Sequence, residues 1–493
     1  MSREYEIVVG LEVHVELATK SKIFCGCSTA FGAEPNTQTC PVCLGMPGTL
    51  PVLNQQALEY AIRAGLALNC TINKYSKFDR KQYFYPDLPK GYQISQHDLP
   101  LCEHGYVEID TPEGPKRIGI RRIHLEEDAG KNIHAGDNIA AAQASYIDLN
   151  RCGVPLIEIV SEPDIRSPEE ARAFLEKLRS ILIYAGVTEA KLQEGQMRAD
   201  VNVSVRPKGS TALGTRTELK NLGSFRSVVR AIEYEARRQW EALQRGEEIV
   251  QETRAFDEDR GITLSLRSKE EAHDYRYFPE PDLPPIVLTD AEIERIRAQL
   301  PELPDARKRR YMEEYGLSAY DAGVIVRDKA VADFFEAAVA AYGKGTEGAK
   351  VVANWVINEL ARILNEKNAE LAQTPLTPDH LVGMLKLVDT GTISGKIAKE
   401  VFAEMVETGK SAEEIVKEKG LVQLTDEAAL AEIALQVIEA NPKAVEDWKK
   451  GKATAAQFLV GQMMKATRGR ANPQLANKVI RAKLAEVTGV TNE

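Results

Sequence analysis

Leu11-Glu12-Val13-His14-Val15-Glu16-Leu17 is the stretch that decides how the chain folds. Apolar and polar residues alternate strictly, and successive side chains of a strand point to opposite faces. Leu11, Val13, Val15 and Leu17 therefore share one face, and Glu12, His14 and Glu16 share the other. Two carboxylates around an imidazole suit a divalent cation or a proton transfer. Taken alone, an amphipathic strand with a solvated face explains the stretch equally. Other strands carrying matching polar faces would make it one wall of a site.

Those strands follow. Arg122, His124, Glu126 and Asp128 alternate with Ile123, Leu125 and Glu127. Asp148 and Asn150 alternate with Ile147 and Leu149, and Glu158 lies inside the apolar run Leu156 to Val160. Arg198, Asp200, Asn202, Ser204 and Arg206 alternate with Met197, Ala199, Val201, Val203 and Val205. Arg216, Glu218 and Lys220 alternate around Thr217 and Leu219. The pattern predicts a largely antiparallel sheet with one apolar face and one concave polar face. Its carboxylates suit Mg²⁺ and its Arg and Lys residues suit phosphates. A solvated sheet face would carry more Lys, Ser and Thr.

Helices interrupt these strands. One is expected from Gln55 to Leu68. A second starts at the capping box Ser167-Pro168-Glu169-Glu170 and closes at Gly186, and a third covers Ser227 to Gln244. Two aromatic, proline-broken segments, Lys77 to Tyr92 and His273 to Pro285, are expected to lie on one rim. Aromatics beside cations suit a nucleotide base or an RNA end; packed surface loops are the other reading. From Asp290 onward the composition turns to Ala, Glu, Lys and Leu with helical periodicity. The fold class is therefore α+β: an N-terminal domain on a largely antiparallel sheet with inserted helices, then all-α domains. Domains are expected at 1–296, 297–410 and 411–493.

At 493 residues with 43% hydrophobic content the chain has room for about three domains and a sizeable core. A net charge of −10 argues against coating nucleic acid over the whole surface, but not against a local basic patch. No run of about 18 apolar residues suggests a membrane span. The first residues, Met1 to Glu6, lack the apolar core of a signal peptide, so the cytoplasm is the expected location.

Of seven cysteines, Cys25, Cys27, Cys40 and Cys43 cluster as C-x-C and C-x2-C. Two close pairs on separate turns suit a structural Zn²⁺ that braces the loop; four unligated thiols are the alternative. From Lys449 to Lys483 there are nine Lys and Arg residues and no Asp or Glu. Within this tail, Lys465, Arg468, Arg470 and Asn472 sit on a basic turn between helices, suited to an RNA backbone. A solvated lysine-rich face is the other reading. No G-x-x-x-x-G-K-[ST] occurs: Gly391 to Lys396 has the wrong spacing, and Glu404 stands where Gly409-Lys410-Ser411 would need its first glycine. No G-x-S-x-G and no Cys/His nucleophile pair emerge, so the chain is not expected to generate its own nucleophile by hydrolysis.

Val9 to Val15, Cys40 to Gly48, Tyr83 to Gln96, Asn150 to Asp164 and Lys465 to Pro473 closely resemble the B subunits of bacterial aspartyl/glutamyl-tRNA amidotransferases, the GatB family. The resemblance runs over essentially the whole chain. It implies a "cradle" domain followed by helical and tail domains. It implies a ligase that forms carbon–nitrogen bonds with glutamine as amido donor. ATP would activate the side-chain carboxylate of Glu-tRNA(Gln) or Asp-tRNA(Asn) as an acyl phosphate, and ammonia would displace the phosphate. The implied partners are an amidase-type subunit that releases and channels ammonia, a small third subunit that completes a heterotrimer, and the tRNA.

By similarity, Glu12, His14, Glu127 and Glu218 hold Mg²⁺, with Glu126, Asp200 and Asn202 as nearby or alternative ligands. Arg198, Arg216 and Lys220 steady phosphates. Strict alternation turns Glu127 away from His124 and Glu126, so either a bulge intervenes or one carboxylate is misassigned. The competing class is a zinc-containing RNA-binding module whose polar face only docks RNA. A stand-alone ligase using free ammonia is a third reading.

Overall fold

The stretch from Tyr5 to Glu16 is a single 12-residue strand, β1, at the middle of a nine-stranded sheet. A computed structural model describes residues 5–134, 144–268, 274–422, 424, 426–467 and 469–491. The later strands are β2 (Thr71–Ile72), β3 (Tyr75–Ser76), β4 (Asp79–Gln82), β5 (Tyr92–Ser95), β6 (Cys102–Thr111), β7 (Gly114–Glu127), β8 (Lys131–His134) and β9 (Ser145–Asp148). They continue as β10 (Pro155–Ser161), β11 (Met197–Pro207), β12 (Thr217–Lys220), β13 (Glu252–Asp257), β14 (Ile262–Ser268), β15 (Phe278–Pro279) and β16 (Ile286–Val287). The large sheet runs β14-β13-β12-β11-β1-β10-β7-β6-β2. Its pairs are antiparallel except β12 with β13, which run parallel.

The alternation read from sequence sets the layering. Val9, Val13 and Val15 are fully buried on the apolar face of β1. Helices α2 (Pro168–Tyr184) and α3 (Phe225–Gln244) supply Phe174, Leu175, Leu178, Val228, Ala231 and Ile232 to the same core. Each fully buried Val, Leu, Ile or Phe contributes about 1.5–3 kcal/mol. At Val160/Ser161 the register of β10 against β7 shifts. There the Ser161 hydroxyl accepts the buried Leu11 N–H at 2.9 Å, so a side chain does the work of a carbonyl.

The cap at Ser167 forms with a difference. Its hydroxyl accepts from the Glu170 N–H at 3.1 Å. The reciprocal arm does not return to Ser167: Glu170 accepts from the Arg166 N–H at 2.8 Å and from Lys116 Nζ at 2.7 Å. A cation from the neighbouring β7 draws the carboxylate one residue upstream. At Ser411 and Glu414 both arms of the box close.

The two aromatic segments meet. β15 pairs with β4, the Gln82 N–H donates to the Tyr275 carbonyl at 2.9 Å, and the Tyr83 and Tyr275 rings lie 6.1 Å apart. His273 lies outside the described residues.

The chain forms two compact units, Met1–Ala306 and Arg307–Glu493. The described secondary structure of the second unit is helical, apart from an isolated bridge between Leu424 and Ala471. Its C-terminal part has its own core of Leu430, Ala434, Trp448, Leu459, Met463 and Ile480. Among the described residues, no helix is long and apolar enough to cross a membrane.

Candidate active site on the polar sheet face

Strand pairing builds the site in rows. His14 of β1 stands opposite Glu158 of β10 on one side and Arg198 of β11 on the other. Glu158 in turn stands opposite His124 of β7. Directly opposed residues share a face, so His124, Glu158, His14 and Arg198 form one continuous row. The next row places Glu12 opposite Asp200, and the row beyond places Asn202 opposite Glu218.

The centre is tightly connected. His14 Nε2 lies 3.6 Å from Glu158 and 3.7 Å from Glu126. His124 Nε2 lies 3.2 Å from Glu158 and 3.5 Å from Glu126. Two imidazoles and two carboxylates thus alternate in a buried square. Burial alone would depress the His14 pKa; Glu158 first, then Glu126, outweigh it and push it up to about 9. Burial works against the charge on Glu158, and the two histidines overcome it and hold its carboxyl well below the usual range. One donor atom each from His14, Glu126 and Glu158 lies within 4.8 Å of the others. Two carboxylates and an imidazole are a donor set a divalent cation accepts.

A second group adjoins it. Asn202 donates to Glu12 at 3.0 Å, and Lys220 bridges Asp200 at 2.9 Å and Glu218 at 3.2 Å. Thr253 donates to Glu218 at 2.7 Å. Burial, then Glu158 and Glu218, raise the Glu12 pKa. Glu12 and Glu218 therefore belong to this group rather than to the three clustered donors. At the other end Arg198 makes a forked contact with Asp128 at 2.9 and 3.0 Å. Glu16 shares this corner: burial, then Asp128, push its pKa up to about 8. Arg216, one residue before β12, is exposed.

Glu127 is where alternation alone puts it, on the opposite side from His124 and Glu126, with no bulge to turn it. Its carboxylate accepts from Lys90 and from the Ile94 N–H, 3.0 Å away. The structure does not bring it into a common group with Glu12, His14 and Glu218. His124 and Glu158 take the central places, although local alternation gives neither a role. Lys81 is a further residue that the sequence does not single out: it sits buried 4.6 Å from the centroid of the Tyr275 ring, with Glu126 and Glu158 raising its pKa against burial.

The four cysteine sulfurs lie within 4.8 Å of one another. The turn Cys40 to Met46 folds back on itself: the Leu44 N–H meets the Cys40 carbonyl at 3.0 Å, and the Cys40 N–H points at Cys43 Sγ at 3.2 Å. The Cys25 thiol, as donor, chiefly stabilises the Cys43 thiolate and draws its pKa down to about 4. Four convergent sulfurs, one already favoured as thiolate, fit a tetrahedral metal.

In the tail, Lys465 is exposed at the end of the helix Thr454–Ala466. Arg470 instead donates to the Thr467 and Gly420 carbonyls at 3.3 and 3.2 Å. Asn472 caps the helix Pro473–Thr488, accepting from the Gln474 and Leu475 N–H groups at 3.0 and 3.1 Å. Arg468 lies outside the described residues. Lys478, Lys483 and Lys452 pair with Glu427, Glu486 and Asp447, so part of the basic charge is locally offset.

A polar site spread across the strands of one sheet, ahead of a helical region, is the arrangement of a GatB/GatE catalytic domain, and the model of that family matches residues 7–294. A second family model, described as the GatB domain, matches residues 333–484. The chain belongs to the GatB family. It is similar to the aspartyl/glutamyl-tRNA(Asn/Gln) amidotransferase subunits B of two thermophiles. The Symbiobacterium thermophilum protein is 62% identical over 484 residues, covering 98% of each chain. That of Caldicellulosiruptor bescii is 61% identical over 487 residues, covering 98% of this chain and all of the relative.

Proposed function

We propose that the chain is the transamidating subunit of a tRNA-dependent amidotransferase, a ligase that uses ATP and an amido donor. Its substrate is the side-chain carboxylate of Glu-tRNA(Gln), Asp-tRNA(Asn) or both. The observation that carries the reading is the buried row His124–Glu158–His14–Arg198 on a sheet whose sequence belongs to this family.

A carboxylate is a poor electrophile. Its oxygen attacks the γ-phosphorus of ATP, the bond to ADP breaks, and an acyl phosphate forms. The lone pair of ammonia then adds to the acyl carbon, a proton is lost and phosphate departs, leaving the amide. Phosphoryl transfer asks the protein for positioning and charge stabilisation rather than for a nucleophile. His14, Glu126 and Glu158 would hold a Mg²⁺ ion, whose charge offsets that of the transferring phosphoryl group. Lys220 and Arg198 present cations on the same face, each fixed by a carboxylate. His124 orients Glu126 and Glu158. Arg216, exposed at the edge, is available to an incoming phosphate.

The cysteine cluster is read as a structural Zn²⁺ site, and 411–493 as the tail that docks tRNA. Ammonia comes from an amidase-type partner subunit, and a small third subunit completes the heterotrimer. The test is ATP turnover by the assembled complex given Glu-tRNA(Gln) or Asp-tRNA(Asn), with ammonium as nitrogen source. The expected outcome is ATP cleavage that requires the misacylated tRNA and yields Gln- or Asn-tRNA. ATP turnover indifferent to the aminoacyl group would favour the RNA-binding reading.

A further inference from the structure

Lys22 is the largest anomaly in the first unit. Its side chain is fully buried, at 0% exposure. Its ammonium donates to the Gln38 carbonyl at 2.7 Å, the Leu149 carbonyl at 3.5 Å and Cys43 Sγ at 3.5 Å. An ammonium has three N–H groups, and these three acceptors use them all. No carboxylate forms an ion pair with it among the described residues. A buried cation normally has an anionic partner, because desolvation without one costs several kcal/mol. Of its three acceptors, the one able to carry negative charge is the sulfur.

The cysteine cluster supplies the complement. Four thiolates around a divalent metal leave a net charge of −2, a buried excess needing compensation of its own. Lys22 begins the same hairpin that carries two of the four cysteines: its N–H donates to the Cys27 carbonyl at 3.0 Å. The backbone that places the sulfurs thus also places the ammonium.

We propose that Lys22 is a positioning cation for the four-cysteine metal site, donating to the metal-bound sulfur of Cys43 and halving the net charge of the tetrathiolate. The inference rests on the reading of the cluster as a metal site. Partners of this kind typically change metal affinity 10- to 100-fold. Two effects follow. Metal is held more tightly, because the buried charges balance. The Cys43 sulfur donates less charge to the metal, because an N–H draws on its lone pair.

The test loads the full chain, in complex with its partner subunits, with Co²⁺ and follows sulfur-to-cobalt absorption and transfer of the ion to a chelator. Lys22→Met is expected to weaken Co²⁺ binding about 10- to 100-fold and to move the charge-transfer band to longer wavelength. Lys22→Arg, which keeps charge and donors, is expected to return the band towards the wild-type position. Lys20→Met, an exposed neighbour, is expected to change neither. Should Lys22→Met fail to fold, Lys22→Gln carries the same comparison. Equal affinity and an unmoved band in a folded Lys22 variant would overturn the role of Lys22 and leave the metal site standing. A wild-type chain that binds Co²⁺ without sulfur charge-transfer bands would overturn the metal site itself, and the role of Lys22 with it.

Discussion

Glu158 stands 3.6 Å from one imidazole and 3.2 Å from another, nearer to each than Glu126 does. Glu158→Gln keeps the shape and removes the charge both histidines face. ATP turnover by the complex is expected to fall at least about 10-fold, measured at saturating ATP. Glu127→Gln acts elsewhere: it strips the partner from Lys90, whose side chain is 8% exposed. That change is expected to cost about 3–5 kcal/mol of stability, read by denaturant unfolding. Unaltered turnover in Glu158→Gln with a collapse in a stably folded Glu127→Gln would reverse the two assignments. Glu12, His14, Asp200 and Glu218 were legible because each alternates with apolar neighbours. Glu158 was not, because Leu156 to Val160 reads as buried on both faces. Only the pairing of β10 with both β1 and β7 reveals its neighbours, and strand register between distant segments is not written in local periodicity.

Local chemistry reported elements well and their pairing poorly. The starts of α2 and of the helix Ala412–Lys419 followed from Ser167 and Ser411, since an N-cap is decided within four residues. The parallel pairing of β12 with β13 depends on where α3 delivers the chain. Glu235, fully buried on α3, joins the layers: it accepts from Thr217 at 2.7 Å, Gln239 at 2.9 Å and Thr263 at 2.8 Å. Burial alone would raise its pKa, but Arg238 and Gln239 outweigh burial and lower it from the ordinary 4.5. A depressed folded pKa contributes stability above the unfolded value, and that contribution is lost as pH falls through the folded value. Glu235→Gln is therefore expected to cost about 1–3 kcal/mol near pH 7. The gap to wild type should narrow as the pH drops below 4.5. Denaturant midpoints across pH check this; a gap constant with pH would mean that charge is not what Glu235 contributes.

The chain as a whole divides its work between two units of different composition. Net charge is −10, yet the tail from Lys449 to Lys483 holds nine cations. Several are spoken for by Glu427, Asp447 and Glu486 or by carbonyls, which leaves Lys449, Lys450 and Lys465 exposed. Replacing these three by Ala is expected to weaken tRNA binding and to flatten its dependence on salt. Removing one phosphate-binding cation lowers the slope of log K against log [salt] by about one. An unchanged slope would mean that the tail does not dock the RNA.

β1 is the first strand of the chain and the middle strand of its sheet. Its hydrogen-bonded neighbours are β10 and β11, and the latter ends at Pro207. On a ribosome adding about 5–20 residues per second, β1 waits on the order of 10–40 s for its second neighbour. Throughout that interval Ile7, Val9, Leu11, Val13 and Val15 form an apolar strand with both edges open, the kind of segment that pairs with other chains. The residue order that places His14 at the heart of the site thus makes the nascent chain a client for chaperones well before it is an enzyme.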